Sequence, residues 1–349
     1  MAHPASPALS RTAVPADTSK ARLEVFSTCP SSLEPPESYT DRIVHAAQWS
    51  ERAGCVGMLV YTDNSLVDPW LVSQILIENT QFLCPLVAVQ PVYMHPYTVA
   101  KMVATLAFLY RRRIYLNMVA GGFKNDLAAL NDTSLHDDRY ARLIEYTQII
   151  QSLLEGFPVT LKGQFHSVTN LTLNPRVPPE LRPGILMSGS SDAGLRAARA
   201  TKAVAVKYPE PPESSAPAES GPSGVRIGIV TRPQSEAAWK AALTRFPSDR
   251  RGQLTRQLAT KVSDSAWHHQ LSGLARERAH NHQTYWLEPF ENYQTNCPYL
   301  VGSYDEVAEE LRRYIALGHR TFILDIPATE EELEHTSLAF ETASQRAGL

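Results

Sequence analysis

Short apolar runs alternate with helix-like segments along nearly the whole chain, and this alternation limits the possible folds more than any other feature of the sequence. The runs are apolar at almost every position, which is typical of strands buried on both faces of a parallel sheet. About eight such runs in 349 residues favour a closed (β/α)8 barrel, the TIM barrel, over an open doubly wound sheet. The predicted strands cover residues 23–26, 56–61, 83–89, 114–119, 185–187, 203–206, 225–231 and 321–326.

Two segments depart from this alternation. Residues 1–20 are rich in Ala, Pro, Ser and Thr and have no apolar core, so we expect a disordered tail and not a signal peptide. Residues 235–299 are too long for one strand–helix repeat and are mostly polar, which predicts a helical insertion, or lid, between the seventh and eighth strands. Residues 21–345, including this lid, are predicted to form a single barrel domain.

The composition is that of an ordinary globular protein, and it excludes several classes of function. The net charge of −3 provides no basic field for nucleic acid, and no apolar run is long enough to span a membrane. The four cysteines lack metal-ligand spacing, so we interpret them as reduced thiols of a cytoplasmic protein. His268, His269, His280 and His282 share no helix face and predict a solvated lid, without a metal site.

A serine-rich turn, Ser188–Ser191, follows the fifth predicted strand and precedes a predicted helix. Active sites of TIM barrels lie at the C-terminal ends of the strands. The N–H groups of a helix start and the hydroxyls of Ser190 and Ser191 suit an anion, and Gly189 allows close approach to the backbone. Serine–glycine turns that bind nothing are also common, so the turn alone leaves both interpretations open.

Three further polar residues are candidates because of their positions. Asn117 interrupts an apolar strand near its C-terminal end, where a buried amide needs either a neighbouring loop or a polar ligand as its partner. His136 and Tyr140 are four residues apart and therefore share one helix face. Such a pair can donate hydrogen bonds to a phosphate, but it is also common on solvated helix surfaces.

Several stretches together resemble the luciferase-like, flavin-dependent monooxygenases, and within them the branch that contains alkanesulfonate monooxygenase. The resemblance extends over about residues 22–345 and rests on motifs that are specific only in combination. These motifs are residues 54–70, 105–121, 136–140, 145–148, 188–192 and 210–213.

The resemblance implies a barrel that binds reduced FMN, which a separate NAD(P)H flavin reductase supplies, and that uses O2 to oxygenate a small organic substrate. It also implies a homodimer or homotetramer. The catalytic residues are unknown from the sequence, and the candidates are Asp68 and Arg226. The implied cofactor-binding residues are Thr62, Asn117, His136, Tyr140, Gly189, Ser190 and Ser191. The implied substrate-binding residues are Trp70, Tyr208, Arg226, Tyr293 and Ile326.

The chain departs from the alkanesulfonate branch on the substrate side of the site. Leu66 replaces a cysteine and Gly228 a histidine, while a lid arginine aligns with Tyr293 or Gln294. A tyrosine and a histidine after the last strand become Ile326 and Ala328. We therefore expect a larger, less anionic substrate than a simple alkanesulfonate, with natural-product tailoring as one context.

Two other functions remain open at this point. The first is an O2-independent oxidoreductase that transfers hydride with a flavin or deazaflavin on the same barrel. The second is a flavin-binding homologue without catalytic activity. The absence of the cysteine and the histidine of the alkanesulfonate branch suggests this alternative.

Overall fold

The computed structural model describes residues 22–121, 124–218, 221–254 and 283–349. Eight parallel strands close into a barrel in the order β1-β2-β3-β4-β7-β8-β9-β13, as predicted. These strands are β1 (Glu24–Thr28), β2 (Gly57–Val60), β3 (Cys84–Val89), β4 (Tyr115–Met118), β7 (Gly184–Ser188), β8 (Val204–Lys207), β9 (Ser223–Arg226) and β13 (His319–Ile323).

Five further strands lie outside the barrel. The sequence predicts a small hairpin over residues 158–168 that turns at Lys162 and Gly163, and β5 (Val159–Lys162) and β6 (Ser167–Leu171) form it. The other three strands form a second sheet. In that sheet β12 (Tyr299–Ser303) runs parallel to β10 (Gly228–Arg232) and antiparallel to β11 (Tyr285–Trp286).

Ten α-helices lie wholly within the described residues. Proline begins α2 and α3, where the side chains of Asp68 and His95 accept hydrogen bonds from the first turn. The helices are α1 (Tyr39–Arg52), α2 (Pro69–Glu78), α3 (Pro96–Tyr110), α4 (Lys124–Ala129), α5 (His136–Glu155), α6 (Asp192–Thr201), α7 (Ser235–Arg245), α8 (Glu288–Glu291), α9 (Tyr304–Ala316) and α10 (Glu330–Ala347).

The barrel interior is filled by large apolar side chains, which explains why the strands are apolar on both faces. The rings of Phe26 and Tyr115 meet edge to face, with their centroids 5.0 Å apart. The buried interior cluster comprises Phe26, Leu59, Leu86, Tyr115, Leu186, Val206 and Ile323. The site is therefore restricted to the ends of the barrel.

The prediction of one strand over 225–231 is wrong. β9 ends at Arg226 and pairs with β13 inside the barrel, whereas β10 begins at Gly228 and pairs with β12 outside it. A Cβ at Gly228 would clash with the ring of Tyr299, so the glycine allows the two sheets to diverge here. Ile227, the residue between the two strands, is apolar and buried, so the apolar pattern continues across the break.

Two other expectations need correction. The polar composition of residues 123–135 predicts a loop, but this segment contains α4, a helix too short to produce a clear apolar period. The segment between β9 and β13 is not wholly helical, because its described residues include β10, β11 and β12. The predicted tail over 1–20 and the lid residues 255–282, with the four lid histidines, lie outside the described residues.

Candidate active site

A cavity of about 650 Å³ opens at the C-terminal ends of the barrel strands. Its walls are the loops that follow β1, β2, β3, β4, β7, β8 and β13, together with residues from the segment between β9 and β13. The predicted site residues that line it are Thr62, Asn117, His136, Tyr140, Gly189, Ser190, Ser191, Tyr208, Arg226, Tyr293 and Ile326. The structure therefore brings nearly all the predicted residues to one cavity.

The turn between β7 and α6 forms one end of this cavity. Ser191 is the N-cap of α6, and its Oγ accepts a hydrogen bond of 3.2 Å from the N–H of Gly194. Gly189 has φ +148°, and a Cβ there would clash with the Tyr140 hydroxyl. The Oγ of Ser190 is buried and has no hydrogen-bond partner in the described structure. The turn thus presents an unused buried hydroxyl beside a helix N-terminus.

His136 and Tyr140 face this turn from α5. Their ring centroids are 5.1 Å apart, and His136 Nδ1 lies 2.8 Å from Asp137 Oδ1. The Tyr140 hydroxyl donates a long hydrogen bond of 3.5 Å to the backbone oxygen of Ser188. Two helices from different repeats therefore converge on the Ser188–Ser191 turn.

Asn117 and Gln90 form the floor of the cavity between the turn and β2. Asn117 is 5% exposed, and its Oδ1 accepts a hydrogen bond of 2.8 Å from Ser188 Oγ. Gln90 Nε2 donates to the backbone oxygen of Thr62 over 3.3 Å. The carbonyl oxygen of Asn117 thus has a protein partner, which ties β4 to the turn.

Arg226 lies in another part of the cavity, at the end of β9. Its Nη1 donates to the Tyr208 hydroxyl over 3.3 Å, and its guanidinium lies 5.8 Å from the centroid of the Tyr61 ring. Its Nε is buried without a hydrogen-bond partner among the described residues. This arginine is therefore held mainly by aromatic rings, which leaves donors available to a ligand.

Arg245 and Asp325 line the same part of the cavity. Arg245 Nη2 donates 2.7 Å to the backbone oxygen of Ile326, while Asp325 Oδ2 accepts from Thr295 Oγ1 over 2.5 Å and Tyr299 Oη over 2.8 Å. Burial raises the pKa of Tyr299, so its hydroxyl keeps its proton and donates. Asp325 lies two residues after the end of β13, so the rule that ligands bind at strand ends predicts it. Arg245 carries no such signal, because it reaches the cavity from α7.

Asp68 and Trp70 are not brought into the main cavity. Asp68 Oδ1 accepts hydrogen bonds of 2.9 Å and 3.0 Å from the N–H groups of Trp70 and Leu71, so it caps α2. Both residues line a smaller recess of about 280 Å³ that shares Thr62 and Gln90 with the main cavity. The position of Asp68 is therefore explained by its helix cap.

The described part of the chain contains no group of three His, Cys, Asp or Glu residues placed to hold a metal ion. None of its helices is both long and apolar enough to cross a membrane. All four cysteines are free thiols, and burial raises the pKa of Cys29 to about 12.

A family model described as luciferase-like monooxygenase matches residues 23–321. The chain belongs to this family. It is 34% identical over 317 residues to the 4-(gamma-L-glutamylamino)butanoyl-[BtrI acyl-carrier protein] monooxygenase BtrO of Niallia circulans, an alignment that covers 88% of this chain and 93% of that protein.

Solved structures of other monooxygenases share the fold of this luciferase-like monooxygenase. The EDTA monooxygenase EmoA of Chelativorans sp. BNC1 has a TM-score of 0.70 at 16% identity, with 93% of this chain and 95% of that chain covered. The monooxygenase RslO1 of Streptomyces bottropensis has a TM-score of 0.65 at 17% identity, with 94% and 100% covered.

These similarities confirm the TIM barrel and the monooxygenase class of this luciferase-like enzyme. They argue against a homologue without catalytic activity, since the chain aligns over most of its length with named monooxygenases. The finer resemblance to the alkanesulfonate branch, the identity of the flavin and the oligomeric state remain predictions.

Proposed function

We propose that the protein is the oxygenase of a two-component system that uses reduced FMN and O2 to oxygenate an extended organic substrate. The observation that carries the proposal is the buried, unpartnered Ser190 hydroxyl at the start of α6, inside the cavity of a luciferase-like monooxygenase. A buried hydroxyl without a partner is costly for a folded protein, and a phosphate oxygen at this position would satisfy it.

The residues at the Ser188–Ser191 turn fit the phosphate of FMN. The N-terminus of α6 carries a partial positive charge, and Gly189 leaves room beside the Tyr140 hydroxyl because it has no Cβ. His136 and Tyr140 supply further donors from α5. Asn117 and Thr62 would then lie beside the flavin ring.

Reduced FMN supplies the electrons that activate O2 for transfer of one oxygen atom to the substrate. The residues of the chain bind, orient and shield the reactants. Asn117 and Gln90 form a fixed floor that would support the ring, and Tyr61 and Tyr208 hold Arg226 in place. The segment between β9 and β13 covers the substrate side with Phe246 and Tyr293, which limits the access of water.

The substrate is proposed to be larger than a simple alkanesulfonate. Leu66, Ile326 and Ala328 line the cavity where the alkanesulfonate branch has a cysteine, a tyrosine and a histidine. The name of the Niallia circulans relative specifies an amide-containing acyl chain on a carrier protein. We propose a natural-product precursor of this extended, amide-containing type for this enzyme as well.

Reconstitution with a flavin reductase, NADH and FMN tests the proposal. A gamma-L-glutamylaminobutanoyl thioester of pantetheine and hexanesulfonate serve as the two substrates, under an atmosphere of oxygen-18. We expect one labelled oxygen in the thioester product and little or none in the sulfonate, with mass spectrometry as the readout.

The same experiment separates the alternatives. Product formation under strictly anaerobic conditions would indicate hydride transfer, and release of peroxide alone would indicate a protein that binds flavin without oxygenating a substrate. If reduced FMN binds the chain no better than it binds serum albumin, the proposed function is wrong.

A further inference from the structure

We infer that Arg245 and Asp325 form a subsite for a zwitterionic α-amino acid group at one end of the substrate, with Arg245 binding the carboxylate and Asp325 the ammonium. The inference rests on the proposed function in one respect, namely that this half of the cavity holds the substrate. It adds the chemical class of the substrate's head group and the two residues that recognise it.

Arg245 is held in a fixed position but keeps free donors. Its Nη2 donates to the backbone oxygen of Ile326 over 2.7 Å. The guanidinium also lies over two rings, 4.9 Å from the centroid of Phe246 and 5.6 Å from that of Tyr299. Among the described residues Arg245 has no carboxylate partner, so its remaining N–H groups are available to an anion from the cavity. A guanidinium held in this way suits a planar carboxylate.

Asp325 is fixed on one oxygen and open on the other. Its Oδ2 accepts hydrogen bonds from the hydroxyls of Thr295 and Tyr299, whereas no partner of Oδ1 is found in the described structure. Arg226 and Arg245 lie in the same part of the cavity, but no cation forms an ion pair with Asp325 in the described structure. An ammonium group in the cavity would donate directly to the open oxygen.

The two charged groups are close neighbours that do not pair with each other. Arg245 bonds to the backbone of Ile326, the residue next to Asp325, and it stacks on Tyr299, whose hydroxyl donates to Asp325. No ion pair joins Arg245 and Asp325 in the described structure, because the hydrogen bonds and ring contacts hold each at its own position. Opposite charges kept apart on one cavity wall match the two charges of an α-amino acid.

Binding calorimetry on the full-length protein, with and without FMN, tests the subsite. The probe is γ-L-glutamyl-n-butylamide, which carries the α-amino acid group on an amide-linked chain. N-butyl-γ-aminobutyramide lacks its α-carboxylate, and N-butylglutaramic acid lacks its α-amino group. We expect the wild-type protein to bind the complete probe at least about tenfold more tightly than either truncated probe.

Two substitutions test which residue recognises which charged group of the probe. Arg245→Met should bind the complete probe no better than the probe that lacks the carboxylate. Asp325→Asn, which keeps an oxygen for the hydroxyls of Thr295 and Tyr299, should lose its preference for the amino group. Arg312→Met is the matched control, because Arg312 pairs with Glu309 on the surface of α9, and it should bind all three probes as the wild type does.

The comparison of three probes on the wild-type protein remains decisive if a variant fails to fold. Equal affinity for all three probes, or unchanged preferences in both variants, would overturn the subsite. Calorimetry does not depend on turnover, so failure of the oxygenation reaction would leave this result interpretable by itself.

Discussion

Ser190 and Ser191 are adjacent, yet their hydroxyls have different environments. Ser191 Oγ caps α6, whereas Ser190 Oγ is buried without a partner. Ser190→Ala should therefore weaken the binding of reduced FMN by about 1–3 kcal/mol and leave the free energy of unfolding nearly unchanged. Ser191→Ala should lower the free energy of unfolding by about 1 kcal/mol through the lost cap. Anaerobic flavin titration and urea unfolding measure the two quantities.

The contrast between the two variants is the control for this prediction. If Ser190→Ala binds reduced FMN like the wild type while Ser191→Ala does not, the phosphate is held by the cap residue and not by the buried hydroxyl. If neither variant alters flavin affinity, the turn is only a connection between β7 and α6.

His319 makes the stability of the fold depend on pH. Its ring is fully buried, with Nδ1 2.8 Å from Ser223 Oγ, and burial lowers its pKa to about 4, with Lys207 and Arg320 acting in the same direction. The unfolded chain takes up this proton near pH 6.5, well before the folded protein does. Stability is therefore lost as the pH falls from about 6.5 toward 4, by about 2 kcal/mol between pH 7 and pH 5.

Urea unfolding of the wild type and of His319→Asn at pH 7 and pH 5 checks this prediction. The variant is expected to be less stable at pH 7, but the fall in its stability between the two values should be smaller. Equal falls in both proteins would show that other groups cause the pH dependence, since the remaining ten histidines are common to both.

At the scale of elements, sequence periodicity predicted all eight barrel strands but not the way the chain leaves the barrel. The run around Ile227 is apolar apart from Arg226, because most residues of β9 and β10 are buried, although in different sheets. Periodicity reports burial and not the identity of the neighbouring strand. The divergence at Gly228 depends on Tyr299, a residue far away in the sequence, so no local pattern could show it.

The β5–β6 hairpin depends on one carboxylate from α5. Glu145 accepts hydrogen bonds from the backbone N–H groups of Gln164, Phe165 and His166 over 2.8, 3.0 and 3.1 Å. Burial opposes ionisation of Glu145, but these three donors lower its pKa overall. In Glu145→Gln an amide NH2 faces at least one of the donors. The free energy needed to open the turn should therefore fall by about 1–3 kcal/mol.

Hydrogen exchange of the three turn amides is the appropriate measurement, because it reports local opening. The amides should exchange faster in Glu145→Gln, and in the wild type their protection should fall as the pH drops below the usual range of a glutamate, since the carboxylate then takes up a proton. Gln151→Glu on the same helix is the control, as Gln151 bonds to Thr201 and not to the hairpin. Equal protection in both variants would show that the hairpin holds its turn without Glu145.

Over the whole molecule, the predictable part of the site is the part built by barrel repeats. Asn117 lies near the C-terminal end of β4 and the Ser188–Ser191 turn lies at that of β7, so the rule that ligands bind at strand ends was sufficient to locate them. Arg245 and Thr295 reach the cavity from the segment between β9 and β13, whose path over the barrel depends on tertiary packing. The sequence therefore predicted the part of the cavity built by barrel strands better than the part built by the segment between β9 and β13.

The opposite end of the barrel should affect stability without affecting the site. There the Tyr115 hydroxyl donates to Glu24 Oε1 over 2.8 Å. The guanidinium of Arg113 lies over the Tyr115 ring, 4.6 Å from its centroid, and Arg113 Nε donates to the backbone oxygen of Arg182. A Cβ at Gly184 would clash with the Tyr115 ring and push it from this network. Gly184→Ala should lower the free energy of unfolding by about 1–3 kcal/mol, the usual cost of overpacking.

Urea unfolding measures this loss, and anaerobic titration with reduced FMN at low temperature, where the variant stays folded, tests the separation of the two ends. In a TIM barrel the N-terminal face contributes stability and the C-terminal face carries the chemistry, so the flavin affinity of Gly184→Ala should equal that of the wild type. β7 joins Gly184 to the Ser188–Ser191 turn, which makes this strand the most direct route between the ends. Weaker flavin binding at unchanged stability would mean that the strain travels along β7 to the turn.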